Sequence, residues 1–107
     1  MLKLPTPIAE YFSAANSDDA ERVASYFTDD ATVRDERRTI RGPSAVRTWA
    51  EETRRKYRYQ VEAIAAEEAA NGIIVTAHLT GDFPGSPIDL RYRFKLVGSK
   101  IAALEIG

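Results

Sequence analysis

The sequence predicts an α+β domain in which three helices near the N-terminus cover one face of a bent, mainly antiparallel sheet. Two observations carry this. Apolar residues recur at helical spacing in three segments before residue 55, and after residue 57 the period falls to two. A third is the punctuation, with proline and acidic caps ahead of the helical segments and Gly-containing turns between the later ones. The 107 residues suit a single domain, 1–107, without linker, repeat or low-complexity tract.

Thr6-Pro7 is read as a capping side chain followed by proline at the first helical position. Ile8, Tyr11, Phe12 and Ala15 then form one stripe, and Asn16-Ser17 breaks the pattern. Asp18 with Glu21 three residues on resembles a capping box. The helix it opens carries the stripe Ala20, Val23, Ala24 and Phe27, and Thr28-Asp29-Asp30 ends it. From Ala31 the period is two, so Ala31, Val33 and Asp35 share a face. Gly42-Pro43-Ser44 starts the third helix, whose stripe is Val46, Trp49, Ala50 and Thr53. Arg54-Arg55-Lys56 falls in its last turn, where cations favour the negative end of the helix dipole.

Tyr57, Tyr59, Val61, Ala63 and Ala65 alternate with Arg58, Gln60 and Glu62 as in a half-exposed strand. The alanine-rich stretch 63–70 suits a helix equally by propensity. Asn71-Gly72 is a hairpin turn signal, Ile73 to Phe83 a second long strand, and Pro84-Gly85-Ser86-Pro87 a wider turn. From Ile88 to Val97, Leu90, Tyr92, Phe94 and Leu96 alternate with Asp89, Arg91, Arg93 and Lys95, and Ile101 to Ile106 is the last strand.

Composition excludes several classes of function. Fifteen basic against sixteen acidic residues leave a net charge of −1, so no global field selects nucleic acid or an anionic membrane. The absence of cysteine removes disulfides and thiolate chemistry, and one histidine is too few for a zinc site. Met1 to Pro5 has no long apolar h-region and no apolar run is long enough to span a membrane, so the expected location is cytoplasmic.

The run Tyr26-Phe27-Thr28-Asp29-Asp30-Ala31-Thr32-Val33-Arg34-Asp35, followed by Arg41-Gly42 and a helix with Trp49, resembles the signature of the nuclear transport factor 2-like superfamily. That superfamily includes the SnoaL-like, or polyketide-cyclase-like, proteins and the ketosteroid isomerases. The resemblance implies a cone-like roll with a cavity under the helices, often paired with a second copy through the sheet. It also implies a general base at Asp35 and, from the spacing of Tyr11 to Asn16, a hydrogen-bond donor to an oxyanion at Tyr11. The family's third group is a protonated aspartate on a late strand. Pro87-Ile88-Asp89 is similar to that segment, but Asp89 has the parity of Arg91 and Arg93, and only a bulge would turn it inward.

Each candidate also has a purely structural account. Asp35 suits a base because a carboxylate in an apolar hollow has a raised pKa, and equally suits a strand-end residue bonded to the following turn with Arg37 or Arg38. Tyr11 on a helix stripe serves equally as core. Trp49, Tyr57, Tyr92 and Phe94 are candidate pocket-lining residues, with Tyr59 and His78 beside them, although aromatic residues at these periods commonly pack the core. His78, the lone imidazole, would be the partner of Asp35 in a dehydratase or a residue of a dimer face. The expectation is a pocket for a small apolar or carbonyl-containing ligand, needing neither metal nor organic cofactor. A non-catalytic binding or dimerisation module and a dehydratase stand as alternatives. The homodimer would form through the face bearing Ile74, Thr76, His78 and Thr80.

Overall fold

The computed structural model describes residues 3–70 and 72–107, which form three helices and six strands. In chain order these are α1 (Thr6–Asn16), α2 (Ala20–Ser25), β1 (Phe27–Asp35), β2 (Arg38–Arg41), α3 (Pro43–Tyr57), β3 (Tyr59–Ala69), β4 (Gly72–Gly81), β5 (Ile88–Val97) and β6 (Lys100–Ile106). The strands make one sheet in the order β2-β1-β6-β5-β4-β3. Only β1 and β6 run parallel; all other neighbours are antiparallel, as the alternating hairpin segments require. The helices bury Ile8, Phe12, Val23 and Val46 against the sheet's Val33, Val75, Ile101 and Leu104. No helix among the described residues is long and apolar enough to cross a membrane.

The boundaries differ from the sequence expectation at identifiable places. Thr6 is already helical, with Pro5 ahead of it and Pro7 in the first turn, so its hydroxyl makes no cap. Asp18 takes a left-handed conformation (φ 56°) in the link after α1, and the cap of α2 is Asp19, whose carboxylate accepts from the Arg22 N–H at 3.1 Å. Phe27 opens β1 instead of closing α2, and is buried in either role. Tyr57 ends α3, and β3 begins at Tyr59. The alanine-rich segment is strand through Ala69, its register shifted between Ala63 and Ala65 so that Ile64 is exposed. The turn residue Asn71 lies outside the described residues.

Strand β2 was not foreseen. The β1–β2 hairpin turns on Glu36 and Arg37, both left-handed (φ 51° and 65°), between the paired residues Asp35 and Arg38. Such a two-residue turn favours Asn and Gly, so Glu-Arg carries no turn signal. The Glu36 carboxylate is held instead by tertiary contacts, accepting from the Tyr57 hydroxyl and from Lys56 Nζ.

Strand β3 is a sheet edge, and the end of α1 closes part of it. The Asn16 side chain donates to the Val61 carbonyl and accepts from the Val61 N–H, both at 2.8 Å, as a neighbouring strand would. The Arg54 guanidinium donates to the carbonyls of Ala15, Asn16 and Tyr59, tying α1, α3 and β3 together. Asn16→Ala leaves both Val61 groups without these partners and is expected to cost about 1–3 kcal/mol. Equilibrium urea unfolding measures it; an unchanged midpoint would show that water replaces the amide without loss.

Candidate functional site

Asp35 stands last in β1, in phase with the fully buried Ala31 and Val33, and is itself half-buried beneath the helices. The two-residue repeat therefore aims it as the sequence suggests. Gly42 then reverses the chain. Its φ of 89° is one that side chains disfavour, and its N–H donates to the Ala31 carbonyl at 3.0 Å. That anchor sets α3 across β1, and about two turns later Trp49 lies over Asp35 and donates from Nε1 to Oδ2 at 3.0 Å. Burial pushes the Asp35 carboxyl above its ordinary value; the Trp49 bond opposes this and the Glu36 charge adds to it.

This carboxyl lines a cavity of about 380 Å³ between α3, α1 and the sheet. Tyr11 comes from α1, Trp49, Thr53 and Tyr57 from α3, and Tyr59, Leu79, Leu90 and Tyr92 from the sheet. Phe83, Pro84 and Ile88 supply a more exposed side, where the Phe83 ring meets Tyr57 edge-on at 5.7 Å. A larger groove of about 880 Å³ lies along α2 and α3. Charged residues such as Asp18, Glu21, Arg47 and Arg55 line it, so it lacks the apolar walls that bind small organic molecules.

Tyr11 is 2% exposed and wedged by edge-on contacts with Phe12, Phe27 and Phe94 at centroid distances of 5.2, 6.0 and 5.6 Å. Burial pushes its phenol well above the usual value, with further pushes from Tyr92, Tyr59 and Asp35. Burial likewise raises Tyr92, with Tyr59 and Asp35 adding to it, and raises Tyr59 to about 12. Four ionisable groups thus feel one another across one space, and the three phenols stay protonated donors at neutral pH. Among the described residues no buried polar side-chain atom lacks a partner, and none of the side-chain hydrogen bonds uses the hydroxyls of Tyr11, Tyr59 or Tyr92. These hydroxyls therefore have free space beside them, and all three residues line the cavity. No Lys, Arg or His is among the lining residues.

Asp35, Tyr11, Trp49, Tyr57 and Tyr92 are brought together; His78 and Phe94 are not. Phe94 faces the core, stacked on Tyr92 at 6.2 Å and edge-on to Phe12 at 5.8 Å, and takes no part in the lining. His78 points to the opposite sheet face from its buried neighbours Ala77 and Leu79. There its Nδ1 lies 2.7 Å from Asp89 Oδ1, both side chains substantially exposed at 39% and 54%. The dehydratase expectation loses its second group by this placement. Asp89 faces outward because the β4–β5 register runs without a shift from Leu79↔Ile88 to Ile73↔Phe94, so no bulge resets its phase. The basic stripe beside it behaves as a solvated face, with Arg91 paired to Glu67 at 2.9 Å.

The sequence reading gave Leu90 the inward place beside Tyr92 but did not place Glu36 or Leu79 on the cavity. The parity of Leu79 holds that information, whereas Glu36 reaches it only through the unforeseen hairpin.

A family model for the SnoaL-like domain matches residues 8–103. The chain is similar to a solved Sinorhizobium meliloti protein named "putative polyketide cyclase", with 32% identity, coverage of 97% of this chain and 95% of that one, and a TM-score of 0.92. It is also similar to a Catenulispora acidiphila protein with a ketosteroid isomerase-like fold, solved in complex with trimethylamine, at 17% identity, 98% and 86% coverage and a TM-score of 0.85. An NTF2-like protein of unknown function from Cytophaga hutchinsonii shares 13% identity, with 100% and 90% coverage and a TM-score of 0.78. The last two likenesses speak for the fold alone. None of the curated proteins compared with the chain matches it.

Proposed function

The chain belongs to the SnoaL-like domain family, and from that premise we propose that it is a cofactor-free enzyme that abstracts a proton next to a carbonyl, as an isomerase or cyclase does. The observation that carries this is the meeting of one half-buried carboxyl, Asp35, with the Tyr11 phenol on a single apolar cavity. The α C–H bond of the bound ketone breaks and its proton passes to the Asp35 carboxylate. The electron pair moves into the enolate, whose oxygen accepts a hydrogen bond from Tyr11. Return of the proton at another carbon gives an isomer; attack of the enolate carbon on a second carbonyl closes a ring, and the alkoxide formed there takes up the proton from Asp35. The raised pKa of Asp35 supports this role, since a stronger base draws the proton better. The test is turnover of a panel of enolisable ketones by the protein and by Asp35→Asn.

A second reading has its own support. The Trp49–Asp35 hydrogen bond joins α3 to β1, and a non-catalytic ligand-binding module needs no more from that aspartate. Stability separates the two, because a structural clamp loses stability when the acceptor of the Trp49 bond is removed, as in Asp35→Ala, and keeps it in Asp35→Asn, whose amide oxygen can still accept. Asp89→Asn is expected to leave turnover unaltered, since its carboxylate lies on the outer face with His78; a large loss would place Asp89 in the reaction after all.

We also propose a homodimer through the outer sheet face, supported by the exposed Ile64 and the half-buried Ile74, Thr76 and His78 there. Light scattering that gives a monomer mass at micromolar concentration would remove it.

A further inference from the structure

We propose that the Tyr92 hydroxyl is the second hydrogen-bond donor to the substrate oxygen, in the place that the outward-facing Asp89 leaves vacant, so that Asp35 works with two phenols. The inference rests on the assignment of Asp35 and Tyr11 above and extends it to the substrate class, a neutral ketone.

Tyr92 reaches the cavity by the same alternation that turns Asp89 away. Along β5 the even positions Leu90 and Tyr92 line the cavity, while Asp89 and Arg91 face outward. Its ring is held firmly: 3% exposed, stacked on Phe94 at 6.2 Å, edge-on to Phe12 at 5.2 Å and tilted against Tyr11 at 6.4 Å. Rings fixed on three sides leave the hydroxyl little choice of direction, which is what a preorganised donor requires. With ring centroids 6.4 Å apart, Tyr92 and Tyr11 are neighbours on the wall of the cavity.

A phenol also suits this cavity better than another acid would. A carboxyl in the place of Tyr92 could donate only while protonated, against the charges of Asp35 and Glu36 on the same cavity. The Tyr92 phenol is neutral without help from its surroundings and gives its proton only partly, as a hydrogen bond. With no Lys, Arg or His among the lining residues, developing negative charge is met in the cavity itself by dipoles. A ligand that already carries a carboxylate or phosphate into this space would face Asp35 uncompensated.

The probe is 2-naphthol, whose ionised oxygen imitates an enolate, bound to Asp35→Asn so that the base no longer competes. Fluorescence reports both affinity and the ionised fraction. Adding Tyr92→Phe is expected to weaken binding of the naphtholate about 10- to 100-fold, as loss of a hydrogen bond to a charged group does, and Tyr11→Phe to do the same. Tyr59→Phe is expected to have the smallest effect of the three. A strongly deshielded hydroxyl proton in the NMR spectrum of the complex is expected to vanish with Tyr92→Phe while thermal unfolding hardly changes, since that hydroxyl has no protein partner to lose. If Tyr92→Phe binds naphtholate as its parent does while Tyr11→Phe weakens it, the second donor is not Tyr92, and the Asp35–Tyr11 site stands without it. If neither phenol matters and Asp35→Asn turns over ketones normally, the proposed reaction falls with it.

Discussion

Replacing Asp35 by Asn is expected to lower turnover of a responsive ketone by about 10²–10⁴-fold, the usual contribution of a positioned general base. The change is nearly isosteric, and the new amide oxygen still accepts from Trp49 Nε1, so lost activity would not reflect a lost fold. In the unaltered protein kcat/KM should rise with pH as Asp35 ionises. Because burial raises its pKa, the midpoint should lie above the ordinary aspartate value of about 3.9. A midpoint at or below that value would remove the desolvated base.

Stability should move the other way. A carboxyl whose pKa is higher in the fold than in the unfolded chain favours folding most while protonated. That contribution is full below the unfolded value and is lost as pH rises through the raised folded one. At neutral pH the fold therefore carries the burden of an ionised, half-buried Asp35, and Asp35→Asn should melt at the same temperature or higher. A melting temperature that drops at pH 7 would mean that the ionised carboxylate stabilises the fold, and would remove the desolvated base. Thermal unfolding of the two proteins at pH 3.5 and pH 7 reads the sign.

Trp49→Ala is the substitution expected to cost the fold most, about 3–5 kcal/mol, as for other buried large-to-small changes at aromatic residues. Trp49 is 4% exposed, packs α3 on the sheet and borders the cavity. Trp49→Phe separates its two roles. It keeps most of the packing but removes the indole donor that holds the Asp35 carboxyl down. The acid limb of the pH–rate profile should then shift to higher pH with only a moderate loss of stability. An unmoved limb would mean that the bond seen at 3.0 Å does not act on the ionisation.

Asp35 and Asp89 show how far parity alone reaches. Both belong to stretches that alternate, from Ala31 in β1 and along β5, and their directions, one inward and one outward, follow from residues two positions away. Nothing in the alternation tells whether a bulge intervenes. Ile64 sits at a register shift that its alanine-rich surroundings do not announce, whereas β4 and β5 run in continuous register past Asp89. Bulges depend on how neighbouring strands twist against one another, which is a property of the pair. His78 is a similar case, since its face was legible from Ala77 and Leu79 but its bond to Asp89 required the pairing.

Local chemistry determined much of this protein: the three helices before the antiparallel strands, the face on which Asp35, Tyr11 and Trp49 lie, and the resemblance that links them. These follow from side-chain period and caps, which act over a few residues. Only tertiary structure decided that the Glu36-Arg37 turn folds into a hairpin, that Tyr59 and Tyr92 open to the same hollow as Tyr11, and that space remains between them. Those outcomes depend on contacts between residues far apart in the chain, where the volume that packing leaves unfilled is set by every wall at once.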